Sequence, residues 1–349
     1  MKQEIYDLIY KLETSHSLSL SEYQLLIEGR DEEAASLLRE KAVSLRKKFY
    51  GNRVFIRGLI EFTNYCKNDC LYCGIRSSNK NAHRYRLSED QIIQCACEGY
   101  GLGFRTFVLQ GGEDPYFTDE KLCQIIRRIK ASHPDCAITL SVGERSFESY
   151  RALKEAGADR YLLRHETAGA EHYAKLHPER QRFQERMEAL RNLRKAGFAV
   201  GAGFMVGSPY QTSSDLAQDL KFIEEFQPEM CGIGPFIPHK ETPFAACPAG
   251  SADLTCYLLS IIRLIKPNIL LPATTALGTI KPDGREQGIL SGANVVMPNL
   301  SPVQVRKDYS LYDGKICLGE ESAQCVACLS RRIKTTGYQI VVDRGDISL

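Results

Sequence analysis

Three closely spaced cysteines, Cys66, Cys70 and Cys73, have the residue type and spacing of a metal site. The polar stretch KND separates the first two cysteines and Gly74 follows the last, which favours a loop over a helix that buries a stripe of cysteines. Thiolates are soft ligands and this loop contains no histidine, so iron-sulfur chemistry is favoured over catalytic zinc. Three protein ligands on a 4Fe-4S cluster would leave one iron for a non-protein ligand.

A second cysteine group lies near the carboxyl terminus. Cys317, Cys325 and Cys328 form a C-x7-C-x2-C pattern. The C-x2-C half alone is also typical of thioredoxin-like proteins, but no βαβ unit surrounds it here. We therefore expect a second iron-sulfur cluster, either 2Fe-2S or 4Fe-4S, at this position.

The composition is that of an ordinary globular protein. Of 349 residues, 43% are hydrophobic and 25% are charged, and the net charge is +2. The basic residues are scattered, so we expect no nucleic-acid partner. The charged amino-terminal stretch does not read as a signal peptide, and no apolar run approaches the ~20 residues of a membrane span. These features predict a cytoplasmic protein with no membrane contact.

The elements that must position these residues follow a regular order. Residues 1–50 predict amphipathic helices, which we interpret as an N-terminal helical cap. From Val54 onward, apolar runs alternate with amphipathic stretches, and eight of them read as strands: VFIRGLIEF, TFVLQG, AITLSVG, RYLLRHE, AVGAGFMVG, MCGIGPF, NILLPATTA and ANVVMPN. Eight βα units predict a (β/α)8 barrel over residues 51–300, with a cluster-binding extension at 301–349. A doubly wound sheet is the alternative.

The spacing of Cys66, Cys70 and Cys73, with Tyr72 before the last cysteine, resembles the signature of radical S-adenosylmethionine (SAM) enzymes. The resemblance implies that the three cysteines hold a 4Fe-4S cluster whose remaining iron binds SAM. It also implies reductive cleavage of SAM to methionine and a 5'-deoxyadenosyl radical.

Further motifs agree with this resemblance. The glycine-rich stretch LQGGEDP is similar to the strand that binds the SAM amino group through its backbone, although an ordinary strand-to-helix turn is the alternative. Gly111 stands where we expect serine in relatives. Arg164 and Glu166 are two residues apart and would face the same side of a strand, where Glu166 suits the ribose hydroxyls.

Arg186 matches an arginine that pairs with the SAM carboxylate, and a solvated helix face is its alternative. Ser141 and Met205 lie at strand ends and are further SAM contacts or, alternatively, core residues. The SAM contacts that the resemblance implies are Tyr72, Gln110, Gly111, Gly112, Glu113, Ser141, Arg164, Glu166, Arg186, Met205 and Tyr309.

Longer stretches, among them GAGFMVGSP, GIGPFIPH, PATTALGTI and LYDGKICL, resemble the FeFe-hydrogenase maturase family HydE. This resemblance implies that the radical acts on the cysteine sulfur of a small iron complex carrying carbon monoxide and cyanide. The implied partners are the maturase HydG as source of the complex, HydF as acceptor scaffold and a low-potential electron donor. The chain is expected to be a monomer.

Four residues are predicted to contact that substrate. Thr274 and Thr275 offer hydroxyl and backbone donors to an anion. Arg57 would point into the barrel if it alternates with the inward positions of its strand, and a salt bridge to a neighbouring strand is the alternative. Tyr312 would close the cavity beside Tyr309, although this spacing equally suits a packed helical turn.

Other functions remain compatible with parts of the sequence. A biotin synthase-like or methylornithine synthase-like enzyme would act on a small organic molecule with the same core. A zinc-dependent hydrolase would use the first cysteine group with a metal-bound water, and a non-enzymatic iron-sulfur scaffold would pass clusters onward without SAM.

Overall fold

From residue 53 onward, short parallel strands alternate with helices. The computed structural model describes residues 2–316 and 326–348. Its helices are α1 (Lys2–Ser15), α2 (Leu20–Glu28), α3 (Glu32–Tyr50), α4 (Glu89–Gly101), α5 (Asp119–Ser132), α6 (Phe147–Glu155), α7 (Ala170–Leu176), α8 (Phe183–Lys195), α9 (Ser213–Phe226), α10 (Ala252–Ile265), α11 (Thr275–Ile280), α12 (Gly284–Leu290), α13 (Val303–Arg306) and α14 (Val326–Lys334). Its strands are β1 (Arg53–Ile56), β2 (Gly58–Thr63), β3 (Thr106–Gly111), β4 (Ala137–Ser141), β5 (Arg160–Leu162), β6 (Ala199–Ala202), β7 (Met205–Val206), β8 (Met230–Cys231), β9 (Gly234–Pro235), β10 (Val295–Val296) and β11 (Gln339–Val341).

The strands close into a ring of eight positions. A parallel sheet runs in the order β2-β3-β4-β5-β6-β8. A parallel bridge between Met230 and Leu270 adds residues 270–272, and a bridge between Pro272 and Val295 adds β10. Strand β10 then pairs with β1, which runs on into β2 through Arg57. The ring confirms the predicted barrel and excludes the open doubly wound sheet.

Local sequence explains where several helices begin. Ser88 and Gln91 form a capping box at α4, and Thr212 and Asp215 form one at α9. Helix α5 begins at the Thr118 cap and buries an apolar face against the sheet. Since these helices cover the outside of the ring, the strands are buried on both faces and read as continuous apolar runs.

The chain termini pack on the barrel. Helices α1 to α3 form as predicted and pack along its outer face against α9 and α10. Strand β11 pairs in parallel with β1. The tail that follows closes the amino end of the ring, where the Arg344 carbonyl accepts from Thr106 Oγ1 at 2.7 Å and Asp346 pairs with Arg160 at 2.6 Å. None of the helices within the described residues is long and apolar enough to cross a membrane.

Candidate cluster and cofactor site

A cavity of about 370 Å³ opens at the carboxyl end of the barrel strands. Such a volume suits a small-molecule ligand. Of the predicted site residues that the structure describes, it brings together all except Arg57 and Cys328. The predicted residues that line it are Cys66, Cys70, Tyr72, Cys73, Gln110, Gly111, Gly112, Glu113, Ser141, Arg164, Glu166, Arg186, Met205, Thr274, Thr275, Tyr309 and Tyr312.

The three cysteines lie on a loop, as predicted, with no regular helix between Cys66 and Cys73. Two side chains hold that loop. Asp69 accepts two hydrogen bonds from Arg76, both at 2.8 Å. Arg84 donates to carbonyl oxygens along the loop, including that of Ile75 at 2.8 Å. The loop is therefore ordered by contacts of the protein itself.

The thiols of this loop must lose their protons before they can bind a metal centre. Burial raises the pKa of Cys70 to about 11 and that of Cys73 well above its usual range. Since a metal centre binds the thiolate, loading the site must displace these protons. Gln181 Nε2 donates to Cys70 Sγ at 3.4 Å.

In residues 2–316 and 326–348, no three histidine, cysteine or carboxylate side chains are grouped closely enough to hold one metal ion. A cluster makes a different demand, because each thiolate binds a separate iron. The all-sulfur donor set of Cys66, Cys70 and Cys73 therefore fits an iron-sulfur cluster.

The glycine pair at the end of β3 allows close approach to the cysteine loop. A Cβ on Gly112 would collide with the Tyr65 carbonyl oxygen and lie 2.8 Å from Cys66 Cβ. A Cβ on Gly111 would lie 2.7 Å from Thr63 Cγ2, so a serine there would require a shift of Thr63. The backbone at this strand end is thus open toward the cavity, and it could hold a ligand amino group through its carbonyl oxygens.

Arg164 and Glu166 form an ion pair at 3.1 Å on the cavity wall. Glu166 has a left-handed backbone, with φ of 66°, which is strained for a non-glycine residue. Arg164 Nε is buried without a hydrogen-bond partner, and Arg164 Nη2 and Glu166 Oε2 have only the ion pair with each other. Buried polar atoms with spare hydrogen-bonding capacity fit a bound ligand with hydroxyl and carboxylate groups, as SAM has.

Arg186 is buried on α8 and not on a solvated helix face, being only 6% exposed. Its Nη1 donates to the Arg164 carbonyl at 2.6 Å, and its Nε pairs with Glu144. The guanidinium therefore lies next to the Arg164–Glu166 pair, where it could reach a ligand carboxylate.

The threonine pair lies on another part of the cavity wall. Thr274 Oγ1 is buried without a hydrogen-bond partner, and a Cβ on Gly234 would lie 2.8 Å from it. Thr275 begins α11. The Thr274 hydroxyl is thus available to a ligand in the cavity.

Three charged residues of the cavity were missed by sequence reasoning. Glu61 and Lys315 form a buried ion pair at 2.6 Å, and Asn299 Nδ2 donates to Glu61 Oε2 at 2.7 Å. Arg285 also lines the cavity, and none of the ion pairs within the described residues includes it. Inward alternation from Leu59 could have indicated Glu61, but nothing local pairs it with a lysine so distant in sequence.

The position of Arg57 corrects one prediction. Arg57 points into the barrel, as alternation required, but it lies at the amino end and not in the cavity. Its Nη1 donates to Met230 Sδ at 2.8 Å and its Nη2 to the Gly345 carbonyl at 3.3 Å. The alternation of a strand gives the face of a side chain but not its depth along the barrel axis.

The second cysteine group is only partly described. Cys317 and Cys325 lie outside the described residues. Cys328 is on α14, where Arg331 Nη2 donates to its Sγ at 3.4 Å. The second cluster stays a prediction.

Known proteins match both the sequence and the fold. Residues 60–223 match the radical SAM superfamily. The FeFe-hydrogenase maturase subunit HydE of Thermotoga maritima is 46% identical over 296 residues, which are 85% of this chain and 84% of that protein. The structure of methylornithine synthase superposes with a TM-score of 0.82 at 27% identity and covers 96% of this chain and 97% of that one. The structure of HydG, a maturase of the FeFe-hydrogenase, shares the fold with a TM-score of 0.81 at 20% identity, over 98% of this chain and 77% of that one.

The protein is thus a radical SAM enzyme, which uses a 4Fe-4S cluster to cleave SAM reductively. The hypotheses of a zinc hydrolase and of a passive cluster scaffold are wrong. Within the superfamily, identity of 46% over most of both sequences shows that the chain belongs to the HydE family.

Proposed function

We propose that this enzyme acts in assembly of the active-site cluster of FeFe-hydrogenase, on a small cysteine-bound iron complex with carbonyl and cyanide ligands. The observation that carries the proposal is the 46% identity to Thermotoga maritima HydE over most of both chains. We further propose that HydG supplies the complex, that HydF accepts the product and that a low-potential donor supplies the electron.

In this proposal Cys66, Cys70 and Cys73 ligate the cluster. Reduced cluster and SAM together supply a 5'-deoxyadenosyl radical. The protein's part is to hold the ligand in one orientation, and the Gly112 backbone, which approaches the cysteine loop closely, would accept from the SAM amino group.

Glu166 and its neighbours would orient the rest of SAM. The Glu166 carboxylate, whose Oε2 has only the ion pair with Arg164, would accept from the ribose hydroxyls, and Arg164 would donate beside it. Arg186 lies buried behind this pair and would approach the carboxylate. Holding the ribose would fix the position of the carbon on which the radical forms. A reactant that is already positioned loses little further translational and rotational freedom when it reacts.

The remaining wall of the cavity suits an anionic substrate. The Thr274 hydroxyl has no partner, and Arg285 brings a positive charge that no ion pair of the described residues neutralises. Thr275 and Tyr312 extend the same wall. We assign the iron complex to this wall, because a low-dielectric cavity strengthens attraction between a cation and an anion.

The carboxyl-terminal cysteines are proposed to hold an accessory cluster. Replacing Cys317, Cys325 and Cys328 together should lower the iron content and preserve cleavage of SAM. Loss of cleavage in a folded triple variant would contradict the accessory role.

The test of the function is activation of apo-hydrogenase. The anaerobically reconstituted enzyme is combined with the partner maturases, SAM and a reductant, and hydrogen evolution is measured. We expect evolution that depends on this chain and is lost in C66A. The exposed Cys97 on α4 supplies the matched control, since C97A should activate as the wild type does. Formation of 5'-deoxyadenosine without activation would contradict the proposal.

The superposition on methylornithine synthase, with a TM-score of 0.82 at 27% identity, favours one alternative, a methylornithine synthase-like enzyme that acts on a small organic molecule. Incubation with SAM, a reductant and a mixture of free amino acids distinguishes the two. A methylornithine product in the absence of other maturases would favour the alternative, whereas the proposed function predicts no such product.

A further inference from the structure

A buried carboxylate faces the turn that carries Glu166. Asp219 is fully buried on the apolar face of α9, beside Leu216 and Leu220. Its Oδ1 accepts from the Ala168 N–H at 2.6 Å, and its Oδ2 has no hydrogen-bond partner. Burying a carboxylate on an apolar helix face is costly, so this position needs a reason beyond packing.

His165 is the second group at this carboxylate. Its Nε2 lies 3.3 Å from Asp219 Oδ1. The Gly203 N–H donates to His165 Nδ1 at 3.3 Å, which assigns the ring proton to Nε2, facing Asp219. The ring packs on Phe222 with centroids 4.5 Å apart. Burial lowers the pKa of His165 well below its usual range, so the ring is neutral.

These contacts bracket Glu166 on both sides. Asp219 contacts the His165 ring before Glu166, although this contact does not form an aligned hydrogen bond, and accepts a hydrogen bond from Ala168 after it. The Glu166 N–H donates to the Gly203 carbonyl at 3.0 Å. A non-glycine residue keeps a left-handed backbone only where its surroundings impose it. The buried contacts supply that constraint from behind, while the carboxylate of Glu166 faces the cavity.

We propose that Asp219 and His165 are positioning residues that hold the left-handed turn of Glu166, so that its carboxylate meets the SAM ribose. This inference rests on the proposed assignment of Glu166 to SAM. The inference concerns only the affinity for SAM. If it failed, the result expected from the hydrogenase activation assay would not change.

Two substitutions at Asp219 separate position from stability. D219N keeps the Oδ1 acceptor, and we expect its SAM dissociation constant to stay within about threefold of the wild type. D219L loses the acceptor, and we expect SAM to bind about tenfold more weakly, as for loss of a buried hydrogen bond. Its thermal midpoint should stay level or rise, because an apolar side chain replaces a buried polar group. Equilibrium dialysis with labelled SAM on the reconstituted enzyme measures affinity, and calorimetry measures stability.

The control is E225Q, which changes an exposed carboxylate on the same helix and should bind SAM as the wild type does. If D219L does not fold, H165F replaces it, since phenylalanine keeps the packing on Phe222 and removes both nitrogens. Wild-type SAM affinity in D219L or H165F would overturn the proposal. Equal weakening in D219N and D219L would also overturn it, because loss of the Oδ1 acceptor would then not be the cause.

Discussion

The two ends of the barrel treat their buried polar groups differently. At the amino end, Arg160 donates to Thr106 Oγ1, to the Arg344 carbonyl and to Asp346, all from within the chain. At the carboxyl end, Thr274 Oγ1 is buried without a hydrogen-bond partner, and Glu166 Oε2 has only the ion pair with Arg164. One end is closed by the carboxyl-terminal tail, and the other leaves its polar groups to a ligand.

One fold thus separates stability from function. Both ends contain buried arginines, so residue type does not distinguish them. What distinguishes them is whether the chain returns to bind the charged side chains. The tail binds Arg57 and Arg160 at the amino end, although Thr139 Oγ1 has no hydrogen-bond partner there, whereas at the carboxyl end the cysteine loop and residues 309–316 surround a cavity.

The largest expected effect is at the cysteine loop. The triple variant C66A/C70A/C73A should lose 5'-deoxyadenosine formation to below detection, because no thiolate remains to bind the cluster. Iron content and product are measured after anaerobic reconstitution, with C97A as control. A wild-type amount of 5'-deoxyadenosine from the triple variant would show that SAM cleavage does not depend on the cysteine loop at the carboxyl end of the barrel.

A smaller effect is expected for the buried pair on the cavity wall. K315M leaves Glu61 charged and buried, and we expect a loss of about 3–5 kcal/mol of unfolding free energy in a denaturant titration. The double variant E61Q/K315M should recover most of it. A cost of the single variant below about 1 kcal/mol would show that this pair resembles an exposed one.

Two threonines give a matched pair across the barrel. Thr274 Oγ1 at the carboxyl end and Thr139 Oγ1 at the amino end are both buried without hydrogen-bond partners. We expect T274V to lower hydrogenase activation about tenfold, with unchanged affinity for SAM. T139V should leave activation as in the wild type. Equal activation by the two variants would contradict the proposed functional difference between the two ends of the barrel.

The smallest effect concerns acid at the amino end. Burial raises the pKa of Asp346, but the hydrogen bonds and charges of Arg344 and Arg160 lower it by a larger amount. The pKa of Asp346 therefore lies below its usual range. Such a carboxylate stabilises the fold above its unfolded pKa of about 3.9, and this contribution is lost as pH falls through the folded pKa. Because the side chain is 58% exposed, D346N should cost less than about 1 kcal/mol at pH 7. The cost should shrink as the pH falls below the unfolded pKa and through the lower folded pKa. A cost that stays constant as the pH falls would exclude the ion pair as its cause.

Much of the fold was predictable because alternating apolar runs mark strands locally. All eight predicted runs occupy ring positions, although the seventh, at residues 270–272, pairs with its neighbours through isolated bridges and not through a regular strand. The cysteine loop and the Arg164–Glu166 pair were equally local signals. The depth of a side chain along the barrel axis and the pairing of residues distant in sequence are not local properties. The position of Arg57 along this axis and the Glu61–Lys315 pair therefore could not be predicted from the sequence.

An anaerobic crystal structure of the reconstituted enzyme with SAM would show directly whether the cluster and SAM bind at the carboxyl end of the barrel. We expect a 4Fe-4S cluster on Cys66, Cys70 and Cys73, with SAM between this loop and Glu166 and the amino end still closed by the tail. SAM bound away from Glu166, or a cluster on other ligands with this loop empty, would contradict the assignment of function to the carboxyl end.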